Sequence, residues 1–138
     1  MHTTSQQITV KATKGGGLHI FLPVIYGSNF SSERNELSDD LRYICKKIIS
    51  APWAVMGDFN TARYTDEKMG GKPLSFIKLS PFNDCIAECQ LLDVIHVGSK
   101  WSWHKNTVGP RRIVGRLDRV LCNHLWIDLL EESFYNIP

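Results

Sequence analysis

Four residues stand out for the chemistry they could do: Gly57-Asp58-Phe59-Asn60, directly after the apolar run Trp53–Met56. A strand end is a rigid platform, and an aspartate and an asparagine two apart point the same way if strand geometry continues. A carboxylate placed there can bind a metal or activate water, and an amide can orient that water or hold a phosphate oxygen. The competing reading is an Asx turn that ends a strand, which these two residue types favour by themselves. The stretch Lys100–Arg119 holds six cations (Lys100, Lys105, Arg111, Arg112, Arg116 and Arg119) against one acid, Asp118, with Trp101, Trp103 and His104 interleaved. Such a segment could track a phosphate backbone and stack on bases. It could equally be a solvated hairpin whose arginines keep the surface soluble.

The elements that would position these residues follow from periodicity. Ile8–Thr13 and Leu18–Tyr26 are rich in β-formers around Gly15-Gly16-Gly17, which predicts a hairpin. The run LHIFLPVIY suits a strand covered on both faces, with Pro23 marking an irregular point. Leu37, Leu41, Ile44 and Ile48 recur at the helical period, which predicts a helix from Ser31 or Ser32 to about Ile49, stopped by Pro52. A polar loop with Gly70-Gly71 follows Asn60. A second helix is expected with Ser80 as N-cap and Pro81 at its first position. Two strands then fall near Lys100–Lys105 and Ile113–Leu121, joined by a turn at Gly109-Pro110, and a short helix near His124–Leu130 closes the chain. The sum is an α/β pattern with two helices able to cover one sheet face.

The chain has 138 residues, 43% of them hydrophobic and 22% charged, which fits one globular domain spanning 1–138. No 18-residue apolar run and no secretory pattern at the N-terminus is present, so an intracellular location is expected. Cys45, Cys85, Cys89 and Cys122 form no CxxC, and Cys85 and Cys89, four apart, read as buried small hydrophobes on one helix face. A net charge of +2 is too small to imply nucleic acid by itself.

The ordered blocks PVIYGSN, PWAVMGDFN, EKMGG, FNDCIAECQLLDV, GSKWSWHKN and GRLDRVLCNHLW resemble the endonuclease domain of plant-type LINE retrotransposons, within the endonuclease/exonuclease/phosphatase superfamily. The resemblance implies a sandwich of two packed sheets with outer helices, here incomplete, and Mg²⁺-dependent (or Mn²⁺-dependent) hydrolysis of a DNA phosphodiester. It implies that Asp58 acts on the attacking water and that Asn60 positions water or phosphate. By the same likeness Tyr26 donates to the scissile phosphate, and Asn29 contacts a phosphate. Asp118, in Arg116-Leu117-Asp118, would orient a histidine. Trp103 would lie near the site, and the hairpin carrying Lys105, Arg111 and Arg112 would touch substrate. Read from the residues alone, Tyr26 could be a half-buried tyrosine, Asn29 a turn residue and Asp118 the ion-pair partner of a neighbouring arginine.

Two things that the resemblance requires are not found: an early asparagine and glutamate pair, the glutamate being the main metal ligand, and a C-terminal Ser-Asp-His block. His96, His104 and His124 lack the required context, and Glu67 matches a loop element rather than the metal-binding glutamate. The metal ligands are therefore unassigned, and the chain as given is expected to be inactive. A phosphatase for small phosphate esters or phosphoinositides and a non-catalytic remnant with weak nucleic-acid binding are the rival readings. A nuclear location is what a retroelement would need.

Overall fold

In a computed structural model that describes residues 3–48, 50–105 and 112–138, the centre is a five-stranded sheet. The hairpin forms as expected: β1 (Gln7–Lys14) pairs antiparallel with β2 (Leu18–Tyr26) across the triple glycine. After α1 (Ser31–Lys47), β3 (Ala54–Asp58) returns parallel to β2. Beyond a short 3₁₀ turn (Thr65–Glu67) come β4 (Lys68–Met69), α2 (Phe76–Glu88), β5 (Leu92–Asp93), β6 (Ile95–Gly98), β7 (Trp103–His104), β8 (Val114–Gly115), β9 (Asp118–Cys122), α3 (His124–Leu129) and β10 (Phe134–Ile137). The main sheet has the order β1-β2-β3-β9-β5, while β4-β8-β7 and β10-β6 form two small sheets.

Both long helices lie on one face of the main sheet. Leu37, Leu41, Ile44 and Ile48 of the α1 stripe are buried together with Phe82, Cys85 and Ile86 of α2. This cluster meets Ile25, Trp53, Val55 and Leu121, the alternate residues of three strands. Cys85 and Cys89 are buried and free, in keeping with their reading as small hydrophobes. On the opposite face Ala54 and Cys122 are covered by Trp126 of α3 and Tyr135 of β10. Ile8, Val10 and Val24 on that face stay exposed. Among the described residues, then, the second layer is the two-stranded β10-β6 sheet, and the expected outer helices are both on one side.

Three boundaries differ from expectation. Helix α1 ends at Lys47, and its predicted last residue, Ile49, lies outside the described residues. Pro52 does not stop that helix; its carbonyl accepts from Phe21 N–H at 3.1 Å and leads the chain into β3. Helix α2 starts five residues earlier than predicted, capped by Ser75, whose hydroxyl accepts from Lys78 N–H at 3.4 Å, so Pro81 sits inside the helix. Leu79 accounts for the shift: it is buried, and a helix begun at Pro81 would leave it outside the helix. Replacing Ser75 with alanine should cost about 1 kcal/mol in urea unfolding, the usual value of a lost cap. The predicted strand Ile113–Leu121 is two strands in two sheets, broken at Arg116-Leu117, where Leu117 and Asp118 N–H groups donate to the Ser102 hydroxyl at 2.9 and 3.0 Å. The turn at Gly109-Pro110 lies outside the described residues.

Candidate active site

The end of the main sheet where β2 and β3 stop and β9 starts gathers the chemistry. Strand register places Tyr26 beside Asp58, and Asp58 directly opposite Asp118. Residues so paired put their side chains on one face, about 5 Å apart at Cβ. That face is the one opposite the two long helices, since Asp58 alternates with Ala54 and Asp118 with Cys122. Two backbone features permit the close packing. Gly57 has φ +134°, and a Cβ there would lie 2.1 Å from the Ile25 carbonyl oxygen, so only glycine lets β3 approach β2 this closely. The Gly27 N–H then donates to the Asp58 carbonyl at 2.6 Å, which ties the loop after β2 to the end of β3.

Asp58 and Asn60 do not continue as a strand. Asn60 adopts φ +52°, an αL conformation uncommon for a side-chain-bearing residue. Its backbone N–H donates to Asp58 Oδ1 at 2.7 Å, so the Asx turn forms and the functional arrangement is built on it. The Asn60 amide donates both to the Gly27 carbonyl at 3.1 Å and to Asn29 Oδ1 at 2.6 Å. Both of its N–H bonds are thereby spent, and its free atom is the carbonyl oxygen, an acceptor. Asn29 keeps its own amide N–H groups and is exposed.

Electrostatics set Asp58 apart. Burial, and secondarily the Asp118 charge opposite, push its carboxyl above the ordinary value of 3.8, opposed by the hydrogen bond from Asn60. The folded chain therefore holds this proton more tightly than the unfolded chain. The resulting stability is complete below pH 3.8 and is lost as pH rises through the elevated value. Asp58→Asn, which keeps the acceptor for Asn60 and removes the charge, should melt above wild type at pH 7 in differential scanning calorimetry. The two proteins should converge at the acid end.

The remaining predicted residues divide. Tyr26 is 75% exposed and so is not the half-buried tyrosine of the alternative reading. Asp118 forms no ion pair among the described residues: Arg119 pairs with Glu67 and Asp93, and Arg116 donates to Tyr135. Trp103 and Lys105 line a cavity of about 450 Å³ that begins at Asn60. Arg112 faces away, sharing a separate small hollow with Met69 and Trp101, and Arg111 lies outside the described residues. Of the basic stretch, Lys100 pairs with Asp66 at 3.1 Å and Arg119 is buried in its ion pairs. This leaves Lys105 and Arg112 exposed.

Sequence reasoning missed several supporting residues. Gln6 accepts from Ser28 N–H at 2.9 Å and donates to the Glu33 carbonyl at 2.7 Å, fixing the loop that carries Asn29. Arg34 donates to the carbonyls of Ser28 and Asn29, both at 2.9 Å. No local pattern marks either, because their partners lie across loops.

A divalent cation finds a short donor set here. Asp58 and Asp118 are two carboxylates, and among the described residues no group of three or more His, Cys, Asp or Glu side chains could hold a metal ion. Magnesium demands near-octahedral oxygen coordination. Among the described residues, the Mg²⁺ expected from the resemblance is not matched by a complete ligand set.

The chain superposes on the crystal structure of beta toxin 275-280 from Staphylococcus aureus with a TM-score of 0.59 at 17% identity, covering 86% of this chain and 42% of that one. It superposes on the structure of a beta hairpin deletion mutant of beta toxin from the same organism with a TM-score of 0.64 at 14% identity, covering 96% of this chain and 48% of that one. The fold is DNase I-like. The chain spans less than half the length of these endonuclease/phosphatase-fold neighbours. No protein-family model and no curated protein matches it. These findings overturn the LINE resemblance: the two structures above are of a bacterial beta toxin, and no family model or curated protein names a LINE endonuclease. The nuclear location rested on the resemblance and falls with it. Among the described residues no helix is long and apolar enough to cross a membrane.

Proposed function

We propose that the chain carries the water-activating side of a phosphodiester-hydrolysing site, with DNA as the substrate. The observation that carries this reading is the facing pair Asp58 and Asp118 at the end of the sheet, with Asn60 held in a strained αL turn beside them. Asp58, whose proton affinity is raised by burial above that of an ordinary aspartate, is suited to take a proton from water. The free carbonyl oxygen of Asn60 can accept from that water, whereas its amide cannot reach a phosphate oxygen while bound to Gly27 and Asn29. The phosphate contact passes to the amide of Asn29 and the exposed hydroxyl of Tyr26, both donors. Asp118 faces Asp58 and sustains its elevated proton affinity. Trp103 and Lys105, beside Asn60, favour a substrate with stacking rings and phosphates.

The incomplete donor set favours a second reading, a phosphoester-binding unit without turnover. One assay separates them: release of p-nitrophenol from bis(p-nitrophenyl) phosphate and from p-nitrophenyl phosphate, with and without Mg²⁺, beside Asp58→Asn. Diester turnover lost in the variant supports the hydrolase. Turnover of the monoester alone moves the reading to a small-ester phosphatase. No turnover of either leaves the binding unit.

A further inference from the structure

The cavity that starts at Asn60 has a composition that the carboxylate pair does not explain. Four cations border it from four different elements: Arg34 from α1, Lys68 from β4, Lys78 from α2, and Lys105 just past β7. By contrast, Arg42, Arg63, Lys100 and Arg119 are each bonded to a carboxylate. Among the described residues none of the four at the cavity has such a partner. Arg34 and Lys68 donate only to backbone carbonyls. The one acid at the wall, Glu67, is 4% exposed and already bound to Arg119. Four uncompensated positive charges around one concavity focus its potential on an anion.

The rest of the lining is apolar. Leu79, Val114 and Leu117 form part of the wall, and Trp103 is 43% exposed. Trp103 pairs with Gly115 across the β7–β8 ladder, where no side chain stands opposite the indole. A hydroxyl-rich ring would leave its hydrogen bonds unmet against such walls, while a flat aromatic ring would not. The volume, about 450 Å³, is in the range of sites for small ligands.

We propose that this cavity is a nucleoside-phosphate site: the base lies on Trp103, and a phosphate sits among Arg34, Lys68 and Lys78. The site adjoins Asn60, so it holds the unit next to the bond that the carboxylate pair would act on; its position relative to chemistry rests on the hydrolase reading, its ligand does not. The same chemistry is offered by a free nucleotide and by one unit of a strand.

The test is isothermal titration calorimetry of the chain with adenosine 5′-monophosphate, ribose 5-phosphate, inorganic phosphate and a five-nucleotide single strand at low salt. Adenosine monophosphate should bind about tenfold or more tightly than ribose 5-phosphate, the contribution of one stacked base. Lys78→Ala should weaken all the phosphates together. Trp103→Ala should erase the advantage of the base alone. Trp103→Leu, which keeps apolar bulk without an aromatic face, gives the same answer if the alanine variant does not fold. A strand that binds more tightly than the mononucleotide identifies the ligand as part of a nucleic acid, and equal affinities identify a free nucleotide. If the mononucleotide binds no better than inorganic phosphate, or does not bind, the proposal is wrong. Because the readout is binding, a chain that binds nucleotide without cleaving diesters counts against the hydrolase reading only.

Discussion

Glu67→Ala is expected to lower the unfolding free energy by about 3–5 kcal/mol, the cost of leaving a buried charge unpaired. Arg119 projects from β9, between β3 and β5, with its side chain at 0% exposure, and Glu67, at 5%, is its closest anion. Asp93 makes the second contact at 3.1 Å and is shared with Arg63 at 2.5 Å. Arg63 N–H in turn donates to Glu67 at 2.8 Å, and Asn83 of α2 donates to the Arg63 carbonyl at 2.8 Å. One carboxylate thus fastens the segment before β4 to the main sheet and, through Arg63, to α2. Asp93 alone cannot compensate, since it is half taken by Arg63 and one Arg119 nitrogen, Nε, already lacks a partner. Thermal unfolding followed by tryptophan fluorescence checks the loss, which should appear as a melting temperature lower by roughly 10–20 °C. The paired change Glu67→Leu with Arg119→Met should recover most of it, because removing both charges removes the desolvation penalty as well. Equal damage from the pair and the single change would show that packing, not charge, is what the network supplies.

Asp58→Asn should reduce diester turnover by about 10²- to 10⁴-fold, the range for losing a positioned general base. Asparagine preserves shape and the acceptor for Asn60 N–H, so the effect should fall on kcat with KM little changed. The wild-type rate should rise with pH through a midpoint above that of an ordinary aspartate, since the carboxyl must lose its proton to act and burial holds that proton. The same substitution is expected to raise stability at neutral pH, and this opposition is diagnostic. A residue that served only the fold would lower both.

The parts of this molecule that were legible in its sequence are those governed by near neighbours. The β1–β2 hairpin, the buried stripe of α1 and the placement of Asp58 at a strand end each follow from spacing within a dozen residues. The start of α2 was misread because Ser80-Pro81 is a good local start signal, and tertiary packing of Leu79 outweighed it. The short strands β5, β6 and β10 carry two to four residues each, too few for a period to show. The six cations of Lys100–Arg119 looked like one basic surface, yet three of them, Lys100, Arg116 and Arg119, are held by partners (Asp66, Tyr135, Glu67 and Asp93) distant in sequence. Asn29 and Asn60, 31 positions apart, meet only because Gly57 and Gly27 let their loops touch. The block order pointed to a LINE element, which the comparisons overturn.

The pairing of β3 with β9 also sets an order of events as the chain is made. Asn123, one residue past β9, receives the Trp53 N–H from 70 positions earlier and donates to the Ala51 carbonyl 72 positions earlier. Until that stretch has left the ribosome, β3 has β2 on one side and an open edge on the other, and Asp58 has no carboxylate opposite it. Pairings this far apart in sequence form late, because a long loop must close before any contact rewards it. The β2–β3 pairing can therefore form before Asp118 has been made, and the two aspartates meet only once β9 has joined the sheet.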